Sequence, residues 1–126
     1  MARVILDSSV LIALLSPTDK HQVAAVQATS TNHEYLISAI TFTEVLIAPY
    51  RKGTAHGDRY SRALISQFGE PISVDRKIAH AAAKLRADKN IKMPDALISA
   101  TAEINKAQLW SFDKALVKHN SFARLI

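Results

Sequence analysis

Arg3-Val4-Ile5-Leu6-Asp7-Ser8-Ser9-Val10-Leu11-Ile12 decides how this chain is read. Val4-Ile5-Leu6 is a short β-branched and aliphatic run, too brief for a helix and suited to a buried strand. Asp7 ends it. Ser8 and Ser9 are residue types that cap helices, and an apolar helix is expected to run on from Val10 to Leu15. A strand that stops at an acid and turns at once into a helix is the first half of a βα unit. In parallel α/β sheets, ligands bind outside the carboxyl ends of the strands, so Asp7 stands where such folds do their chemistry. The plainer reading is that Asp7 only starts the helix.

Working outward, the same alternation repeats. Val23, Ala24, Val26 and Ala28 follow a helical pattern that is expected to end near Thr31-Asn32, and Tyr35-Leu36-Ile37 reads as a second strand. The next helix carries Phe42, Glu44, Val45, Leu46 and Ile47, with Pro49 expected to kink or end it. A further helix is expected over 55–68, with Gly57 a weak point in it. Ile72-Ser73-Val74 reads as a third strand, followed by Asp75 as a plain helix cap. Met93-Pro94-Asp95 opens another helix. Gln108-Leu109-Trp110-Ser111-Phe112 is a strand ending at Asp113, a short helix covers 114–118, and 122–126 is a terminal strand. Strands alternating with helices predict an α/β fold in three layers, α/β/α, on a mostly parallel sheet of four to five strands, with residues 1–126 as a single domain.

Composition agrees. Of the 126 residues 48% are hydrophobic and 21% charged, which describes a globular chain with a real core rather than a disordered one. No apolar run approaches the ~20 residues of a membrane span. No secretory leader is evident ahead of the first strand. The absence of cysteine excludes disulfides and thiolate metal sites and fits a cytoplasmic protein. Lys and Arg number 16 against 11 acids, a net charge of +5, which favours polyanionic partners, nucleic acid first.

Four acids stand out by context: Asp7 and Asp113 at strand ends, Asp95 in the first turn of a helix, and Glu44 on an otherwise apolar stretch of helix. Each has a plainer role, as a cap, as a complement to the helix dipole, or as a solvated side chain. Together those roles weaken, because strand ends and helix starts of a parallel sheet meet at one edge. Carboxylates gathered there repel one another and stay ionised only with cations present. Oxygen ligands without nearby His or Cys suit magnesium or manganese rather than zinc. A carboxylate-held divalent metal beneath a basic surface suits phosphodiester hydrolysis by activated water.

Here a family resemblance becomes specific. The stretches V-I-L-D-S-S-V-L-I, T-F-T-E-V-L, M-P-D-A-L-I-S-A-T-A and L-W-S-F-D-K-A-L resemble, in order and spacing, those of PIN-domain ribonucleases, above all the VapC-type toxins of type II toxin–antitoxin pairs. The resemblance spans nearly the whole chain. It implies a PIN fold, with Asp7, Glu44, Asp95 and Asp113 binding Mg2+ or Mn2+. It also implies that Ser9 sits beside the metal site and that Ser111 stands near the fourth acid. The family's closing pattern often adds a further acid and a Phe after that last Asp. Here Ala115 and Leu116 stand in that region, so the additional acid is missing and the number of metals is left open. The implied partners are RNA, cleaved to 5′-phosphate and 3′-hydroxyl ends, a cognate antitoxin protein, and a second copy of the chain in a homodimer.

Other residues are read more simply. Arg51, Lys52, Arg59 and Arg62 are candidates to track RNA phosphates, or else form a solvated basic face. Lys84, Arg86, Lys89 and Lys92 read as surface solubility. His80 reads as a packed or exposed side chain, and Trp110 as core. Val10, Leu11, Leu14, Val23, Phe42 and Ile47 are candidates for a groove that holds the antitoxin, some of them shared with the core. A response-regulator receiver is excluded because Asp7 has no acidic neighbour. An aspartate-nucleophile phosphatase would want a second Asp where Ser9 stands. The remaining alternative is a non-catalytic PIN-like scaffold that binds RNA or protein.

Overall fold

The computed structural model describes residues 2–118, 120 and 123–126. Its strands are β1 (Arg3–Leu6), β2 (Glu34–Leu36), β3 (Gln108–Ser111) and β4 (Ala123–Leu125). All pair in parallel, in the order β2-β1-β3-β4. The helices are α1 (Ser8–Leu15), α2 (Gln22–Thr29), α3 (Ala39–Arg51), α4 (Thr54–Phe68), α5 (Arg76–Lys89), α6 (Met93–Ile104) and α7 (Lys114–Lys118). They flank the sheet in a three-layer α/β/α arrangement.

β1 lies between β2 and β3 and is covered on both faces. Val4 and Leu6 pack with Val10, Ala13, Ala25 and Trp110 toward α1 and α2. Ile5 points the other way, to Leu109, Ile98, Ala102 and Leu116. That double burial is why the run is apolar without alternation. Each of the buried Val, Ile and Leu side chains among them contributes about 1.5–3 kcal/mol over its exposed state.

Several expectations need correction. Asp7, not Ser8 or Ser9, caps α1: its Oδ1 accepts the Val10 amide at 3.2 Å, and both serines lie inside the helix. Ile72-Ser73-Val74 is no strand. Ile72 makes one parallel bridge to Ser38, while Ser73 and Val74 are exposed and unpaired beyond it. α2 stops at Thr29 and buries Ala25 rather than its valines, leaving Val23 70% exposed. α3 continues through Pro49 to Arg51, and Pro49 is buried within it. Val10 and Leu11 are wholly core and cannot line a groove, whereas Val23 and Ile47 are exposed. The proposed terminal strand begins at Ala123; Phe122 lies outside the described residues.

Other expectations hold. Asp75 caps α5 through the Ile78 amide at 2.9 Å, and Trp110 is core. Gly57 is where α4 approaches α3. A Cβ there would collide with the Tyr50 ring, whose hydroxyl donates to Asp58 at 2.7 Å. The glycine lowers helix propensity and permits the contact.

Candidate metal centre at the sheet edge

β1 and β3 are neighbours in register, Leu6 opposite Trp110, so their carboxyl ends stop side by side. The Asp7 amide closes the ladder onto the Trp110 carbonyl at 3.2 Å. Two serine hydroxyls then tie the strand ends together. Ser111 Oγ donates to Asp7 Oδ2 at 2.5 Å and accepts the Asp113 amide at 2.8 Å. Ser9 Oγ donates to Asp7 Oδ1 at 2.6 Å and accepts the Phe112 amide at 3.0 Å. The Phe112 ring is stacked on His21 at the start of α2, with centroids 4.2 Å apart. Asp7 is therefore clamped in one orientation, and the turn that carries Asp113 is fastened to it.

Burial pushes the Asp7 carboxyl above the ordinary Asp value. The hydroxyls of Ser111 and Ser9 and the Val10 amide pull it back, and the charge of Asp113 adds to the rise. Asp95, in the first turn of α6, is half-buried and raised by burial first and then by Asp113. Lys92 opposes that rise, and Asp7 adds to it. Glu44, on α3, is raised by burial, lowered by hydrogen bonding to Ser8, and raised again by Asp95 and Asp7. Its Oε1 is buried without a hydrogen-bond partner among the described residues, a costly state for a carboxylate. Asp113 is exposed, and its Oδ1 accepts the Ala115 amide at 2.9 Å.

The fold thus brings Asp7, Asp95 and Asp113 within electrostatic reach of one another, and Glu44 within reach of Asp7 and Asp95. Among the described residues, however, no three His, Asp or Glu side chains stand close enough to hold a metal ion. Electrostatic influence reaches farther than ligation, so the two observations are compatible. The donor set is all oxygen, and the unpartnered Glu44 oxygen is the kind of atom a cation satisfies, so the residues fit a hard divalent ion.

The basic residues fare differently. Arg51, Lys52, Arg59 and Arg62 are exposed, and none of them figures among the charges acting on Asp7, Glu44 or Asp95. The cation that does act here, on Asp95, is Lys92, which reads from sequence as mere surface charge. Its one signal was its position three residues before Asp95, at the N-cap of α6.

A family model described as PIN domain matches residues 4–121. The chain belongs to the PIN domain family. Among solved structures, this PIN domain is similar to a chain of a toxin–antitoxin complex from Klebsiella pneumoniae, with 27% identity and a TM-score of 0.79 over 96% of this chain and 95% of that one. It also shares its fold with VapBC2 from Rickettsia felis, bound to a promoter DNA fragment: 16% identity and a TM-score of 0.74 over 98% and 97% of the two chains. VapC20 of Mycobacterium tuberculosis, a sarcin–ricin loop cleaving toxin, matches at 16% identity and a TM-score of 0.75 over 91% and 93%. No curated protein sequence matches the chain. No helix among the described residues is long and apolar enough to cross a membrane.

Proposed function

We propose that this PIN domain is a Mg2+- or Mn2+-dependent endoribonuclease and the toxin of a toxin–antitoxin pair. The observation that carries the reading is Asp7: a buried carboxyl at the end of a central strand, raised by burial and set among three further acids. The resemblance to the Klebsiella toxin–antitoxin complex and to a toxin that cleaves the sarcin–ricin loop supports it.

Asp7, Asp95, Asp113 and Glu44 would hold the ion. Bound there, it would supply Lewis acidity, activating a water and offsetting charge on the phosphodiester. The chain's own part is orientation. Ser9 and Ser111 fix both oxygens of Asp7, so little reorganisation is left when substrate arrives. Glu44, whose buried Oε1 has no hydrogen-bond partner among the described residues, would add a fourth carboxylate to the set that holds the ion. A cognate antitoxin would silence the site by placing an Arg or Lys among the carboxylates, since that attraction is large where water is excluded. A homodimer completes the reading, with light scattering as its check.

The test is cleavage of a labelled RNA by wild type and Asp7→Ala, in magnesium, in manganese and in chelator. Wild type should cut only with metal, and Asp7→Ala should not cut. A wild type inert in both metals would favour a non-catalytic scaffold; an active Asp7→Ala would refute the site.

A further inference from the structure

Beside the four acids, a cavity of about 350 Å³ is lined by Asn90, Ile91, Lys92, Asp95, Asp113, Ala115 and Leu116. We propose that it is a subsite for one nucleotide of the RNA strand, next to the phosphate that is cut, with Lys92 as its cationic contact. The inference rests on the nuclease reading and adds to it a place where substrate is held.

The lining is mixed in the way a nucleotide requires. Ile91 and Leu116 are buried and supply an apolar floor against which a base can lie. Asn90 offers an amide donor and acceptor at the rim. It is held there by a left-handed backbone, φ 48°, which ends α5. Lys92 supplies the positive charge. It acts on Asp95 yet forms no ion pair, the one salt bridge among the described residues being Arg3–Glu34. An ammonium beside a carboxylate but not consumed by it is available to an anionic ligand. A strand of RNA brings uncompensated phosphates on either side of the one at the metal, and a lysine lining the adjoining cavity would meet the next.

Ala115 lines the wall with an uncharged methyl group. The lining carries two carboxylates, Asp95 and Asp113, against Lys92; a divalent cation held by those carboxylates would turn that balance positive, so the subsite would take an anion with the metal bound. The cavity's volume lies at the small end of ligand sites and suits one nucleotide rather than a stacked pair.

The experiment measures binding of a fluorescent single-stranded RNA oligonucleotide to the full chain, in an Asp7→Asn background that cannot cut, across a salt series. Cleavage by the otherwise wild-type chain is followed in parallel. Lys92→Ala should weaken binding roughly three- to tenfold and lower the salt slope by about one ion, whereas Lys92→Arg should hold both near the parent values. In cleavage, Lys92→Ala should raise KM more than it lowers kcat. Ala115→Asp, which removes no contact and adds an anion to the cavity, should weaken binding comparably. Unchanged affinity and slope in Lys92→Ala would overturn the subsite. So would a loss in Lys92→Ala with none in Ala115→Asp, because the contact would then lie outside the cavity. If the wild-type chain cleaves RNA while Lys92→Ala is unaffected, the subsite alone fails. If the chain neither cleaves nor binds, the nuclease reading fails and takes the subsite with it.

Discussion

Ser111→Ala removes a single oxygen from the bottom of the site. Ser111 is fully buried, donates to Asp7 Oδ2 at 2.5 Å and accepts the Asp113 amide at 2.8 Å. A hydrogen bond to a charged group contributes about 1.5–3 kcal/mol, and one to a neutral amide about 0.5–1.5 kcal/mol. Asp113 is exposed, so water can replace the second bond. The first cannot be replaced, because Asp7 is buried. The expected loss is therefore about 2–3 kcal/mol at pH 7, and at about 3 °C per kcal/mol for a chain of this size Tm falls by roughly 6–9 °C. The hydroxyl also favours the ionised form of Asp7. Without it the carboxyl rises further, and Asp7 can relieve part of the penalty by taking a proton. The fall should thus be smaller near pH 4.5. Thermal unfolding of wild type and Ser111→Ala in chelator, at both pH values, checks this. A fall under about 2 °C at pH 7, or one equal at both pH values, would refute the clamp on Asp7 as an energetic feature.

Two further outcomes follow from the same site. Asp7, Glu44 and Asp95 are all raised, so the folded chain keeps protons that the unfolded chain has released. Metal-free stability should therefore fall as pH rises from the ordinary carboxylate values, 3.8 for Asp and 4.5 for Glu, through the raised ones, and level off above them. Melting scans in chelator should show that decline, with a shallower one in Asp7→Asn; a wild-type Tm that stays flat or climbs across the window contradicts it. Glu44→Gln replaces a buried anionic oxygen lacking a hydrogen-bond partner with a neutral amide, so it should raise metal-free Tm at pH 7 by a few degrees while abolishing cleavage. A lower Tm with full activity would show that Glu44 belongs to neither role.

What the sequence revealed, it revealed through local rules. Val4-Ile5-Leu6 announces a strand buried on both faces because nothing polar interrupts it, and Asp7 marks its end. Asp75 was legible as a cap because a cap needs only its own next turn. Glu44 stood out because a carboxylate on an apolar stretch needs a reason. Features decided by tertiary space were not legible. Ile72-Ser73-Val74 has the residue types of a strand, but its pairing ends at a single bridge. The valines of α2 face water, and the helix packs on the core through its alanines, Ala25 and Ala28, instead. Lys92 looks like any surface lysine until the fold sets it beside Asp95. Asp7 turned out to be cap and candidate ligand at once, so the two readings of it were never exclusive.

The proposed site stands or falls on whether these four acids bind a divalent cation. Anomalous diffraction from crystals soaked in Mn2+ tests it directly. A manganese peak bounded by Asp7, Asp95 and Asp113 with Glu44 drawn toward it is expected, and no peak there in Asp95→Asn. Crystals of the wild type that take up no manganese at this edge, or take it up only elsewhere on the surface, would contradict it.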